Sequence, residues 1–125
     1  MKKIYRCKVC GNMAGKIFDS GVKMVCCGKE MTELAPQTAD YRTEKHVPVV
    51  SVEGNVATVT VGSTLHPMEE DHHISFIILE TNKGFKRQPL AVGGDPISKF
   101  ALLDDEKVIA AYEYCNLHGF GCVKL

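Results

Sequence analysis

No apolar run in this chain approaches the roughly 20 residues needed to span a bilayer, so a membrane role is not expected. The N-terminus, MKKIYRCKVC, opens with two lysines but has no apolar stretch behind them. It does not read as a secretory signal, and the expected location is the cytoplasm. Net charge is missing too: fifteen basic residues balance fifteen acidic ones. No overall field favours nucleic acid or anionic lipid, and neither is expected as a partner. The sequence also shows no internal repeat, no low-complexity tract and no convincing long amphipathic helix.

A composition that is 45% hydrophobic and 24% charged suits a globular chain rather than a disordered one. Six cysteines and five histidines hold most of the chemistry, and they are segregated. Cys7, Cys10, Cys26 and Cys27 fall early; Cys115, Cys122 and all the histidines fall late. Between them LAPQTADYRTE (34–44) reads as a linker. Two units are expected, residues 1–36 and residues 37–125. In a reducing compartment, cysteines at such density are metal ligands or thiols more readily than disulfides.

The second unit reads as β. VPVVSVEGNVATVTVG places two β-branched runs around Gly54-Asn55, a hairpin signal. ISFIILE (74–80) is a further strand. VIAAYEYC (108–115) alternates, which would put Val108, Ala110, Tyr112 and Tyr114 on one face. FKRQPLAV and KFALL are weaker strand candidates. Short strands with frequent turns predict an antiparallel sandwich or small barrel, and about seven strands would be immunoglobulin-like.

In the first unit, CKVCGN and CCGKEM each carry two cysteines followed by glycine. A tight knuckle around a metal needs backbone freedom after its second ligand, which Gly11 and Gly28 supply. So short a unit buries too little apolar surface to fold without a staple. Four thiolates around one ion would be that staple, and all-sulfur ligation suits zinc or iron alike. The adjacent-cysteine pattern resembles desulforedoxin, a small protein with one iron held by four cysteines.

The histidines are His46 in EKHVPV, His66, His72 and His73 in HPMEEDHHI, and His118 in CNLHG. Glu69, Glu70 and Asp71 read as a solvated polar turn, and Met68 as packing. Alone, each histidine is an ordinary surface or core residue. Together, the three blocks resemble the signatures of the desulfoferrodoxin and superoxide reductase family, in order and spacing. With the cysteine block the resemblance covers nearly the whole chain and implies the two-iron type. It implies one iron held by Cys7, Cys10, Cys26 and Cys27. It implies a second, catalytic iron held by His46, His66, His72, His118 and Cys115, with one position open.

The activity implied by the resemblance is one-electron reduction of superoxide to hydrogen peroxide. Rubredoxin or a similar small electron-transfer protein would be the donor, and a homodimer the assembly. Lys45 would attract superoxide and guide protons, and Glu44 could occupy the open position of oxidised iron. A cation beside the pocket raises local anion concentration even at zero net charge. The chain departs from the family in having no tryptophan: Phe76 stands where one is expected. His73 is expected to be a bystander, and Cys122, which matches no signature position, a reduced thiol. Two other readings compete, a non-enzymatic iron electron carrier and a zinc-binding interaction module. Structural zinc is usually four-coordinate and closed, which argues against the last.

Overall fold

The first unit builds its backbone around sulfur rather than around an apolar core. In this computed structural model, which describes residues 3–37, 47–62 and 65–125, two units separate, Met1–Ala35 and Pro36–Leu125. The first holds five short strands: β1 (Ile4–Arg6), β2 (Met13–Ala14), β3 (Val25–Cys26), β4 (Lys29–Glu30) and β5 (Thr32–Leu34). They form a three-stranded sheet in the order β2-β1-β5 and a β3-β4 hairpin. Among its described residues the buried apolar side chains are Ile4 and Cys7. Lys16 is turned inward, donating to Asp19 Oδ1 at 2.8 Å and to the Val22 carbonyl at 2.6 Å, while Ile17 and Phe18 face solvent.

Among the described residues, the second unit is a sandwich of a three-stranded and a four-stranded antiparallel sheet. The first is β10-β7-β6, built from β6 (Pro48–Glu53), β7 (Val56–Val61) and β10 (Ile97–Ala101). The second is β12-β11-β8-β9, built from β8 (Ile74–Thr81), β9 (Gly84–Pro89), β11 (Val108–Cys115) and β12 (Gly119–Lys124). The expected immunoglobulin-like β-sandwich after a small four-cysteine domain is the architecture found. Among the described residues there is no helix long and apolar enough to cross a membrane.

Period-2 alternation builds the core. On β7, Ala57, Val59 and Val61 are wholly buried and meet Ile77, Leu79, Phe100 and Ala111 from neighbouring strands. Two irregularities bend the pattern. Val108 pairs with Thr81 but Ala110 with Glu80, so one residue is bulged out between them. Thr81 and Glu80 point to opposite faces, so Val108 and Ala110 do too. This corrects the expectation that Val108 shares a face with Tyr112; it packs on the core instead. A second shift lies where Tyr114 pairs with Phe76 and Cys115 with Ile74. It turns Ile74 inward at the end of the sheet that carries Cys115.

The stretch expected to be a linker is partly ordered structure. Leu34 ends β5, and Gln37 bridges Gly121, with Gln37 N–H on the Phe120 carbonyl and Cys122 N–H on the Gln37 carbonyl. Residues 38–44 lie outside the described residues. Away from Cys115, a buried carboxylate ties the other end together. Glu106 accepts hydrogen bonds from Thr81 Oγ1 at 2.6 Å, the Leu103 amide at 3.0 Å and Lys86 Nζ at 3.1 Å.

Candidate metal centres

The four N-terminal cysteines come from two turns that the backbone had to be bent to make. In the first, the Gly11 amide donates to the Cys7 carbonyl at 2.9 Å, with Gly11 at φ 83°. Amides then point at sulfur: Cys10 N–H reaches Cys7 Sγ at 3.5 Å and Asn12 N–H reaches Cys10 Sγ at 3.4 Å. In the second, Cys26 pairs with Lys29, leaving Cys27 and Gly28 as the two turn residues of the β3-β4 hairpin. Both have positive φ, 53° and 74°, as a type I′ turn requires. Gly28 adopts this freely; for Cys27 it is disfavoured by roughly 1–2 kcal/mol. A residue held in that region where asparagine or glycine would be easier suggests that its sulfur matters.

The donor atoms of Cys7, Cys10, Cys26 and Cys27 lie within 4.8 Å of one another. Cys10 Sγ and Cys26 Sγ are 3.6 Å apart. The amide of Cys10 lowers the Cys7 thiol to about 6. Hydrogen bonding with the Cys10, Cys7 and Cys26 thiols pushes Cys27 up to about 12, and contacts with Cys10 and Cys7 raise Cys26. Four sulfurs this close cannot all ionise against one another. A cation removes that conflict, and a soft, thiophilic one such as iron fits the donor set.

The second cluster gathers residues distant in sequence. His66 follows β7, His72 lies in the turn before β8, and Cys115 ends β11 with His118 in the turn to β12. Their donor atoms also lie within 4.8 Å of one another. Cys115 Sγ is 3.5 Å from His66 Nε2 and 3.6 Å from His118 Nδ1. The His72 ring stands edge-on to both, with centroids 4.6 Å from His66 and 5.1 Å from His118. His66 Nδ1 is 2.7 Å from the Pro67 carbonyl, which only accepts, so Nδ1 carries the proton and Nε2 offers its lone pair to the cluster. Cys115 and His66 are buried, His72 is half-buried and His118 is exposed. The cluster is therefore dry on the thiolate side and open on another.

His46, Lys45 and Glu44 lie outside the described residues. His73 stays out of the cluster; its Nδ1 donates to the Glu69 carbonyl at 2.9 Å. Met68 is packed in the core and accepts the Ile74 amide on its sulfur at 3.4 Å. Phe76 stacks on Tyr114, with centroids 5.8 Å apart and planes 9° apart. Cys122 is buried on β12 opposite Tyr112 and belongs to neither cluster. Asn116, not among the residues expected at the site, donates through its side chain to the Asp71 carbonyl at 3.0 Å and accepts the His73 amide at 2.8 Å. Its place inside CNLHG was the available signal.

A two-unit β protein with a four-cysteine cluster and a histidine–cysteine cluster defines a narrow class. The family model described as desulfoferrodoxin matches residues 38–122, and that of the desulfoferrodoxin N-terminal domain matches residues 1–34. The chain belongs to the desulfoferrodoxin family. It is 41% identical over 117 residues to the desulfoferrodoxin of Nitratidesulfovibrio vulgaris, covering 94% of this chain and 91% of the relative. The desulfoferrodoxin homolog of Archaeoglobus fulgidus is 39% identical over 117 residues, 94% of this chain and 92% of the relative. Among solved structures, the superoxide reductase from Treponema pallidum is similar at a TM-score of 0.86 and 34% identity, over 99% of this chain and 98% of that one. Both donor sets fit the two iron centres of this family.

Proposed function

We propose that the protein is a superoxide reductase, with residues 37–125 as the catalytic domain and residues 1–36 as an iron-binding domain. The convergence of His66, His72, His118 and Cys115 in a desulfoferrodoxin chain is the observation that carries this reading. The reaction consumes one superoxide, one electron and two protons and yields one hydrogen peroxide. His46, His66, His72 and His118 would hold the catalytic iron through imidazole and Cys115 through thiolate. Cys7, Cys10, Cys26 and Cys27 would hold the other. Iron held by the histidine–cysteine set would supply one-electron redox chemistry.

The protein's own groups do the rest. His66 keeps its Nδ1 proton on the Pro67 carbonyl, which fixes its ring and directs Nε2 inward. With iron(II) bound, four neutral imidazoles and one thiolate would leave a net positive charge that attracts a small anion. Exposed His118 leaves the centre reachable from water, the source of the protons. Lys45 immediately precedes His46 in the sequence, and a cation near the pocket would raise the local concentration of a small anion. We assign Lys45 the capture of superoxide and the guidance of protons; Glu44 would serve as a further carboxylate ligand to iron held there.

The donor in this proposal is rubredoxin or a similar small electron-transfer protein, and the assembly a homodimer. Charge distribution supports an acidic donor: in residues 1–35, Lys2, Lys3, Arg6, Lys8, Lys16, Lys23 and Lys29 outnumber Asp19, Glu30 and Glu33. Exposed Ile17, Phe18 and Val22 support contact with another protein. Metal analysis combined with superoxide consumption under a supply of reductant tests the reading. Iron at both sites with reductant-dependent consumption is expected; zinc at both, or no such consumption, contradicts it.

A further inference from the structure

We propose that Asn116 is a positioning residue that locks His72 to the Cys115–His118 segment. This role deepens the reading of the second cluster as a metal centre and rests on it. His72 needs such a lock because it belongs to no strand; β8 begins two residues later, at Ile74. The turn closes on itself through the Glu69 amide on the His72 carbonyl at 2.9 Å and the His72 amide on the Glu69 carbonyl at 3.2 Å. The His73 ring adds a bond to the same Glu69 carbonyl. These bonds shape the turn but do not join it to the segment that carries the other ligands.

Asn116 makes that join on both flanks of His72. Its Nδ2 donates to the carbonyl of Asp71, the residue before, at 3.0 Å. Its Oδ1 accepts the amide of His73, the residue after, at 2.8 Å. Its own backbone amide donates to the His73 carbonyl at 3.2 Å. A carbonyl only accepts and an amide N–H only donates, so these partners determine which way the side-chain amide points. A carboxylate would serve the His73 amide and fail the Asp71 carbonyl; an alkyl side chain would serve neither.

Position in the chain explains why this matters to the centre. Asn116 follows Cys115 and stands two residues before His118, so any movement of His72 relative to those donors must strain its bonds. Asn116 itself is exposed, so water competes for its partners and the bonds add little to the stability of the fold. Their effect falls on the geometry of the donor set. Supporting bonds of this kind are commonly worth roughly 10–100-fold in metal affinity.

The test uses the full chain, with Asn116→Ala and Asn116→Asp variants. In the metal-loaded full chain, hydrogen exchange at the His73 amide is measured. Exchange about tenfold faster or more is expected in Asn116→Ala. Protection should be restored in Asn116→Asp, which keeps an acceptor but cannot donate to Asp71. Iron(II) affinity is then measured by chelator competition, with the four-cysteine site as internal reference. Asn116→Ala should weaken the histidine–cysteine site about 10–100-fold and shift its visible band in the oxidised state, with the four-cysteine site unchanged. Unchanged His73 exchange, or unchanged affinity and band, overturns the proposal. If the native protein takes no metal at the second cluster, the metal-centre reading fails and the role in ligation fails with it. The exchange result still shows separately whether the clamp exists. Should the alanine variant not fold, Asn116→Asp decides: it must keep His73 protected.

Discussion

His66 Nε2 lies 3.5 Å from Cys115 Sγ across 49 positions of sequence. Both residues are buried, at 2% and 0% exposure, and His66 has its other ring nitrogen committed to the Pro67 carbonyl. The buried sulfur and the inward-directed imidazole nitrogen are two donors of the same four-residue cluster, a soft and a borderline ligand that suit one transition-metal ion. His66→Ala should therefore strip iron from the histidine–cysteine site by more than the roughly 100-fold that loss of a supporting bond causes. The four-cysteine site should keep its iron. Metal content and the two visible spectra of the variant check this; retention of both irons would remove His66 from the ligand set.

The four-cysteine site should lose metal in acid along a curve set by its thiols. Cys27, pushed up to about 12, must release a proton on binding at neutral pH, whereas Cys7, lowered to about 6, is already ionised there. Below about 6 Cys7 must release one too. Metal affinity should thus fall as pH falls, with a steeper slope below pH 6 than above it. Competition titrations between pH 5 and 8 measure the slope on each side.

Glu106 makes the stability of the second unit sensitive to acid. Its bonds from Thr81, the Leu103 amide and Lys86 lower its carboxyl from 4.5 to about 2. A depressed folded value means that the contribution is present above the unfolded value and is lost as pH falls from about 4.5 towards 2. Glu106→Gln should lower the denaturation midpoint at pH 7, and its deficit against the native chain should shrink across that acid range. Urea melts at several pH values measure it; a deficit independent of pH would contradict the assignment.

Lys45→Ala should slow the capture of superoxide and weaken its dependence on ionic strength. A single ammonium near the centre acts over roughly 8 Å at physiological salt, so added salt should cost the native protein more than the variant. Pulse-generated superoxide followed at several salt concentrations reads both effects. Identical kinetics would remove Lys45 from the mechanism.

Strands with continuous β-branched or apolar runs were legible before folding: β7, β8 and β11 are evident in VATVTV, ISFIILE and VIAAYEYC. β12 was not, because GFGCVK has two glycines and weak strand propensity; it is held by pairing with β11 and by Gln37. Strands β2, β3 and β4 span two residues each and exist because the knuckles place them there. The bulge that sends Val108 to the core is likewise a product of its partner strand. The cysteine cluster could be read from local spacing, CxxC and CCG. The histidine cluster could be read as separate blocks. For the clamp by Asn116, CNLHG marks the residue but not its partners, which lie 43 and 45 residues away and are backbone groups.

Reduction of superoxide without dismutation is the chemistry proposed for the histidine–cysteine centre. Its most direct test supplies the iron-loaded protein with a pulse of superoxide and a reduced one-electron donor, measuring peroxide, donor oxidation and oxygen together. Reduction predicts one peroxide formed and one donor electron consumed per superoxide, with no oxygen evolved by the protein. Oxygen evolution with peroxide at half the superoxide consumed, or a rate indifferent to the donor over many turnovers, would contradict it.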